Sequence, residues 1–406
     1  MLLSGFTDFS FTVKNSGAFR NVLEYLGVVV PHTGEPFTEA LLFGIGGGIG
    51  AEYLTWSMKV KEKAGFYLRL WYKPLKVISH DDWFIPRVAS RIGIKITVKH
   101  TSSRKKGEQT LLELLKGNKP VILFLPSHSI KDNTLLPYSA FSMGSSLAPC
   151  YCAVVTSFDE GTGRIQLADR SSHPVTTSMK ELADPRAVMK HTAIAVEPLK
   201  ELKNIKKAMK AGIRDCCQEL LHNRMKNCRV EAFEVWAKRL SDLKDIQSWR
   251  YFSNEKLLAN LQMVHSRIKY FLSSEGALRS IYADFLEEAS IMMSTSTFNK
   301  VSLLYRDVAN DWLEFGDAVF PDSISLFKKL RLIIEKQNKA FINRGLSDFE
   351  FRTMADNIRK LQNEILESWP LQENETINFF NQLSDYLALI YQKERTAIKA
   401  LNTAID

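Results

Sequence analysis

The sequence predicts an α+β half followed by an all-helical half, and three observations carry that expectation. The β-rich runs "PVILFLP" at 120–126, "CAVVTSFDEGTGRIQLAD" at 152–169 and "HTAIAVEP" at 191–198 sit among helical segments in the first half. After Pro198 strand signals fade, and long segments with helical period follow one another from Lys200 to Asp406. The chain has 406 residues, enough for two domains with cores of their own. The expected domains are therefore 1–198 and 199–406.

Each element has its own signal. "SGAFRNVLEYLG" spaces Phe19, Val22, Leu23 and Leu26 as a helix does, and Gly27 stops it. "PFTEALL" reads as a helical turn with its N-cap at Thr38. "DWFIPRVASRIG" predicts a helix from Trp83, with Asp81 and Asp82 as N-caps, and "EQTLLELLKGN" a helix ending at Gly117. "PVILFLP" is the short continuous apolar run of a buried strand, and residues 152–169 form two β-rich arms around "DEGTG", a hairpin. In the second half the helices break at "SSEG", "FPDS", "RGLSD" and "WPLQENE". Leu278, Ile281, Tyr282 and Phe285 form an apolar face that reads as core.

Composition narrows the function classes. Hydrophobic residues make up 45% and charged residues 24%, as in a globular protein. No run of 18 apolar residues occurs and the first residues lack a signal-peptide pattern, so a cytoplasmic location without membrane contact is expected. Five cysteines make no disulfide framework, and neither they nor the eight scattered histidines have metal-ligand spacing, so no metal is expected. Net charge is +9, from 54 Lys and Arg against 45 Asp and Glu, spread over segments such as "KVKEK" and "KNIKKAMK". This is a solvated face or an attraction for an acidic partner; no nucleic-acid motif accompanies it.

"FGIGGGIGAEY" packs five glycines into seven positions. Gly46, Gly48 and Ala51 fit a G-x-G-x-x-A dinucleotide fingerprint, which needs a preceding strand and an acidic residue about 20 positions on. Trp71 and Tyr72 stand near that offset, and the preceding segment reads as helix. A tight turn where two backbones meet is the better reading.

The ordered words "GAFRNVLEYLG", "FTEALLFGIGGGIG", "KPVILFLP", "LLPY" and "CAVVTSFDEGTGRIQLADRSSHPVTTSMKELADPRA" resemble the N-terminal domain of the BtrH-type family of butirosin biosynthesis. "SSEGALRSIYADFLEEA", between Trp249 and Trp312, looks like the domain of unknown function that follows it in that family. The likeness covers roughly residues 11 to 320, with extra helices beyond. It implies a papain-like fold in the first half, and transfer of an acyl group from a carrier-protein thioester to an amine. The partners implied are an acyl carrier protein and a small-molecule amine acceptor. Phosphopantetheine enters as part of the substrate, with no other cofactor, and a homo-oligomer is possible. In the family the glycine stretch belongs to the fold.

The papain-like pattern asks for a cysteine at the start of the first long helix, a histidine on a central strand, and a group that orients it. Aligning Ala18, Phe19 and Arg20 puts Lys14 at the cysteine; aligning Ser157 puts Tyr151 at the histidine; Asp169 keeps the orienting carboxylate. Three readings stay open. The fold serves as a non-catalytic binding or scaffold subunit, or Lys14 and Tyr151 do acid–base work on a direct amine attack or a ring closure. The third is a shifted nucleophile at Cys150, Cys152 or Ser16. Glu39, Gly46, Gly47, Arg279 and Tyr282 are the substrate-binding candidates. Lys14 or the segment from Lys59 to Lys63 would meet an acidic carrier.

Overall fold

The computed structural model describes Phe6 and residues 14–56, 65–73, 83–117, 119–126, 150–168, 174–197, 202–242, 244–270, 276–343 and 348–405. In chain order it runs α1 (Lys14–Tyr25), α2 (Glu39–Ile45), β1 (Ile49–Trp56), β2 (Gly65–Trp71), α3 (Phe84–Ile92), β3 (Lys95–Lys99), α4 (Arg104–Lys116) and β4 (Val121–Pro126). Next come β5 (Cys150–Asp159), β6 (Arg164–Ala168), β7 (Val175–Ser178), α5 (Met179–Val188) and β8 (Ala193–Glu197). Helices fill the rest: α6 (Ile205–His222), α7 (Glu231–Ser241), α8 (Asn254–Lys269), α9 (Arg279–Met293) and α10 (Thr297–Ala318). The last three are α11 (Ser325–Asn343), α12 (Asp348–Glu367) and α13 (Glu373–Ile405). The chain is thus mixed α and β, with its larger sheet in the first half and a helical second half. Of the expected breaks, "FPDS" falls between α10 and α11, and "WPLQENE" spans the α12–α13 junction and enters the first turn of α13; most of "SSEG" and "RGLSD" lies outside the described residues.

Two compact units form, and neither is continuous in sequence. The first holds 1–42, 77–208 and 335–357; the second holds 43–76, 209–334 and 358–406.

The first unit is built on an antiparallel six-stranded sheet of order β3-β8-β4-β5-β6-β7. Alternation along β5 sends Ala153 and Val155 into a core with Leu123 and Leu125 of β4, Leu111 and Leu115 of α4, and Leu182 of α5. Helix ends follow local chemistry. Thr38 caps α2, its hydroxyl accepting from Leu41 N at 2.9 Å. Ser103 starts α4 earlier than its apolar period suggests, and Ser178 with Glu181 makes a capping box on α5. Helix α3 corrects the sequence reading. Its N-cap is Trp83, without a side-chain cap bond, and the helix starts one residue later than expected. Asp81 and Asp82 lie outside the described residues.

In the second unit the β1–β2 hairpin is antiparallel and joined to helices by aromatic packing. Tyr53 stacks on Trp236 at 5.5 Å and accepts a 2.8 Å hydrogen bond from Trp249 Nε1. Burial pushes the Tyr53 phenol well up, so it stays neutral. The apolar face of α9 expected as core is buried.

Candidate active site

The glycine stretch reverses the order a phosphate cradle needs: a helix, α2, precedes it and a strand, β1, follows. What the glycines accommodate is packing. A Cβ on Gly44 would overlap the Phe285 ring at 2.1 Å, and one on Gly212 would lie 2.0 Å from the Gly44 carbonyl oxygen. Gly47 (φ 106°) and Gly48 (φ 64°) take backbone conformations that favour glycine, and their open faces are filled by Tyr72 and Tyr282. This is a turn where backbones meet.

Arg279 and Tyr282 belong to the same packed layer of the second unit. Arg279 is fully buried, and Nε donates to Glu394 Oε1 at 2.6 Å. Its Nη atoms donate to the carbonyls of Leu70, Ala277 and Gly50. Trp312 Nε1 donates to the same Glu394 oxygen at 2.9 Å. Burial, then the neighbouring Cys216, holds the Tyr282 phenol well above its ordinary pKa. Gly46 and Gly47 lie in the turn itself.

Lys14, Ser16, Glu39, Tyr151 and Cys152 belong to the first unit, where α1 packs on β5. The contact is specific: the Cys152 thiol donates to Asn15 Oδ1 at 3.1 Å. This ties the first turn of α1 to β5, which lies between β4 and β6. Lys14 precedes Asn15, and Tyr151 precedes Cys152, paired in register with Leu125. The two positions implied for a papain-like pair are each one residue from that hydrogen bond. The side chains of Lys14, Tyr151 and Cys150 lie outside the described residues, as do Asp169 and the segment Lys59–Lys63.

Ser16 and Cys152 are wholly buried, Cys152 on the sheet face opposite the Ala153 and Val155 core. The Cys152 thiol is shut from solvent and donates to an amide oxygen. Glu39 stands at the start of α2, 3.8 Å from Arg20 of α1, which also meets Glu24. Asn15 is the residue that sequence reasoning missed. Among the described residues no group of three or more His, Cys, Asp or Glu is placed to hold a metal ion, and no helix is long and apolar enough to cross a membrane.

Two family models match the chain. One, described as butirosin biosynthesis protein H, N-terminal, matches residues 14–170. The other, a domain of unknown function (DUF4872), matches residues 181–326. No curated protein matches the chain.

Proposed function

From the premise that this chain belongs to the BtrH-type family, an N-terminal domain followed by a DUF4872 domain, we propose that it forms an amide or closes a ring from a carrier-bound acyl thioester without an acyl-enzyme intermediate. Membership supports a role in natural-product biosynthesis; the reaction and its residues are our reading. The carrying observation is the Cys152–Asn15 hydrogen bond at the head of α1. A helix start held against a central antiparallel strand is the relation a papain-like site needs, and supports that fold. Yet the helix-start position holds Lys14, which leaves direct attack as the economical route.

In that route the acceptor amine attacks the thioester carbonyl, the C–S bond breaks, and the carrier thiolate leaves. The proton lost by the amine passes through Tyr151 to the departing sulfur, with Lys14 providing positive charge beside the phenol and Asp169 positioning it. Holding the amine over the face of the thioester carbonyl lowers the barrier, since orientation can contribute up to roughly 7–11 kcal/mol.

The test is a single-turnover reaction of the purified protein with an acyl-phosphopantetheinyl carrier and a panel of primary amines. Mass spectrometry should show acyl loss from the carrier, amide or ring formed, and an unmodified protein at every time point. An acyl adduct on Cys152 or Ser16 would replace this mechanism by a covalent one. Carrier binding with no turnover under any amine would instead establish the non-catalytic subunit.

A further inference from the structure

Helices α4 and α5 and the start of β8 meet at one end of the first unit's core, one helical turn from Leu111 and Leu182 and two residues from Ala193. Two side chains converge there on Gly107 of α4. Arg186, in the last turn of α5, donates from Nη2 to Gly107 O at 3.1 Å. The His191 ring lies against the same residue: a Cβ on Gly107 would sit 2.6 Å from its Cγ and 3.0 Å from its Nδ1. The turn from α5 to β8 brings the two together. Lys190 and His191 take left-handed backbone conformations (φ 49° and 46°), and His191 N donates to Arg186 O at 2.7 Å.

Arg186 is 1% exposed and His191 2%. Among the described residues, Nε and Nη1 of Arg186 and both ring nitrogens of His191 have no hydrogen-bond partner. With Nη2 on a carbonyl, the guanidinium pairs with no carboxylate among those residues. Glu108 acts on it through space only, and Glu108 already accepts from Arg104 Nε at 2.9 Å. Those two charges cancel, so one positive charge is left over in the interior. Burial pushes the Arg186 pKa down to about 10, which leaves it a cation at neutral pH. Burial, then the Arg186 charge, holds the His191 imidazole below its ordinary pKa, so the ring is neutral and has one N–H to give. A buried charge with no partner, beside a donor with no acceptor, is costly unless something supplies the missing charge and lone pairs.

We propose that Arg186 and His191 bind a small monovalent anion such as chloride, the counter-ion of the buried guanidinium. One surplus positive charge calls for one negative charge. A water molecule would supply lone pairs and leave the charge unbalanced. Full burial strips the ligand of its own water, and that cost rises with the square of the charge, which selects a halide over sulfate or phosphate. The site does not rest on the acyl-transfer reading.

The experiment follows thermal unfolding of the full chain by circular dichroism while chloride replaces gluconate at fixed ionic strength, so that screening stays constant. An ion that binds only the folded chain raises the midpoint with the logarithm of its concentration above Kd. We expect that rise in the wild-type chain, with bromide reproducing it. Arg186→Met should abolish the response, and in gluconate its midpoint should match or exceed that of the wild type, because the stranded charge is gone. His191→Leu keeps the charge and should weaken the apparent chloride affinity about tenfold or more, as loss of a hydrogen bond to a charged group does. If Arg186→Met does not fold, wild-type crystals grown with bromide decide: anomalous density should stand against the guanidinium. A wild-type midpoint indifferent to chloride overturns the proposal, as does bromide density that avoids Arg186. So does an Arg186→Met variant that loses the same stability in chloride and in gluconate, which would leave the arginine only a brace for the Gly107 carbonyl.

Discussion

In the glycine turn between α2 and β1, the space a side chain would take is filled: Phe285 over Gly44, Tyr72 over Gly47, Tyr282 over Gly48, a backbone carbonyl against Gly50. At the head of α1 the join is made by side chains, an amide oxygen of Asn15 accepting from the thiol of Cys152. The turn is fixed by exclusion, so almost any added atom disrupts it. The head of α1 is fixed by a polar contact, which leaves residue identity free to change while the backbone stays in place. Glycine density here marks close packing of backbones. The head of α1, where a helix start meets a strand, is where the proposed reaction would be placed.

The largest effect that would test this contrast lies at the ion pair holding the turn. Arg279 joins Glu394 to the carbonyls of Gly50 and Leu70, with both charged side chains at 0% exposure. Removing one partner strands the other charge in the interior, so Glu394→Gln or Arg279→Met should cost about 3–5 kcal/mol. A urea-unfolding midpoint measures it. A cost below about 1 kcal/mol would mean that the glycine turn is not held by this pair.

The interior of the second unit should also set its acid limit. His265 Nδ1 lies 2.7 Å from the Gly316 carbonyl, which only accepts, so the neutral ring carries its proton on Nδ1. Burial pushes its pKa down to about 4 from 6.5. The unfolded chain then binds more protons between those values. The stabilisation is complete above pH 6.5 and is lost as pH falls toward 4, by at most about 3 kcal/mol. His265→Gln should flatten the unfolding midpoint across that window. A variant with the wild-type slope would put the acid sensitivity elsewhere.

Next in size are the glycines. Gly212→Ala drives a methyl against the Gly44 carbonyl, and overpacking of this kind costs about 1–3 kcal/mol. Gly34 is the control. It has φ 73° but nothing within 4 Å of an added Cβ, so Gly34→Ala should show only the left-handed backbone cost, about 1–2 kcal/mol. Equal losses at Gly34 and at Gly48, which has both the conformation and the Tyr282 ring, would mean that packing adds nothing at the turn.

What was legible in the sequence follows the same division. Helix periods, Thr38, Gly27 and Gly117, the apolar run of β4 and the β5–β6 turn are local signals, and each appears where its chemistry puts it. Strands β1, β2, β3 and β7 and helix α5 were not read. β3 is five residues, "KITVK", with exposed lysines at both ends, and β7 is four. β1 follows glycines that mask its alternation, and segment 43–76 packs with helices more than 130 residues on in sequence, as Gly44 does with Gly212. The family pattern points to Lys14 and Tyr151, whose side chains lie outside the described residues. Asn15 was not legible, because one asparagine in a first helical turn reads as capping, and its partner is 137 residues away.

The smallest expected change in stability is at the head of α1. Asn15→Ala removes one hydrogen bond and should cost about 1 kcal/mol, while Cys152→Ser keeps a donor and should cost less. The two mechanisms part on turnover. If Cys152 only positions α1, the double change Cys150→Ala and Cys152→Ala leaves turnover within about tenfold, roughly 1.4 kcal/mol of barrier. Lys14→Met should lower kcat far more than it alters unfolding, because it removes the charge and leaves the Asn15–Cys152 contact in place. The kcat ratio of the two variants, set against their unfolding midpoints, separates a residue that holds the helix from one that does chemistry beside it. Abolished turnover in the cysteine double variant, with a normal midpoint, would make Cys150 or Cys152 the nucleophile and remove the direct-attack route.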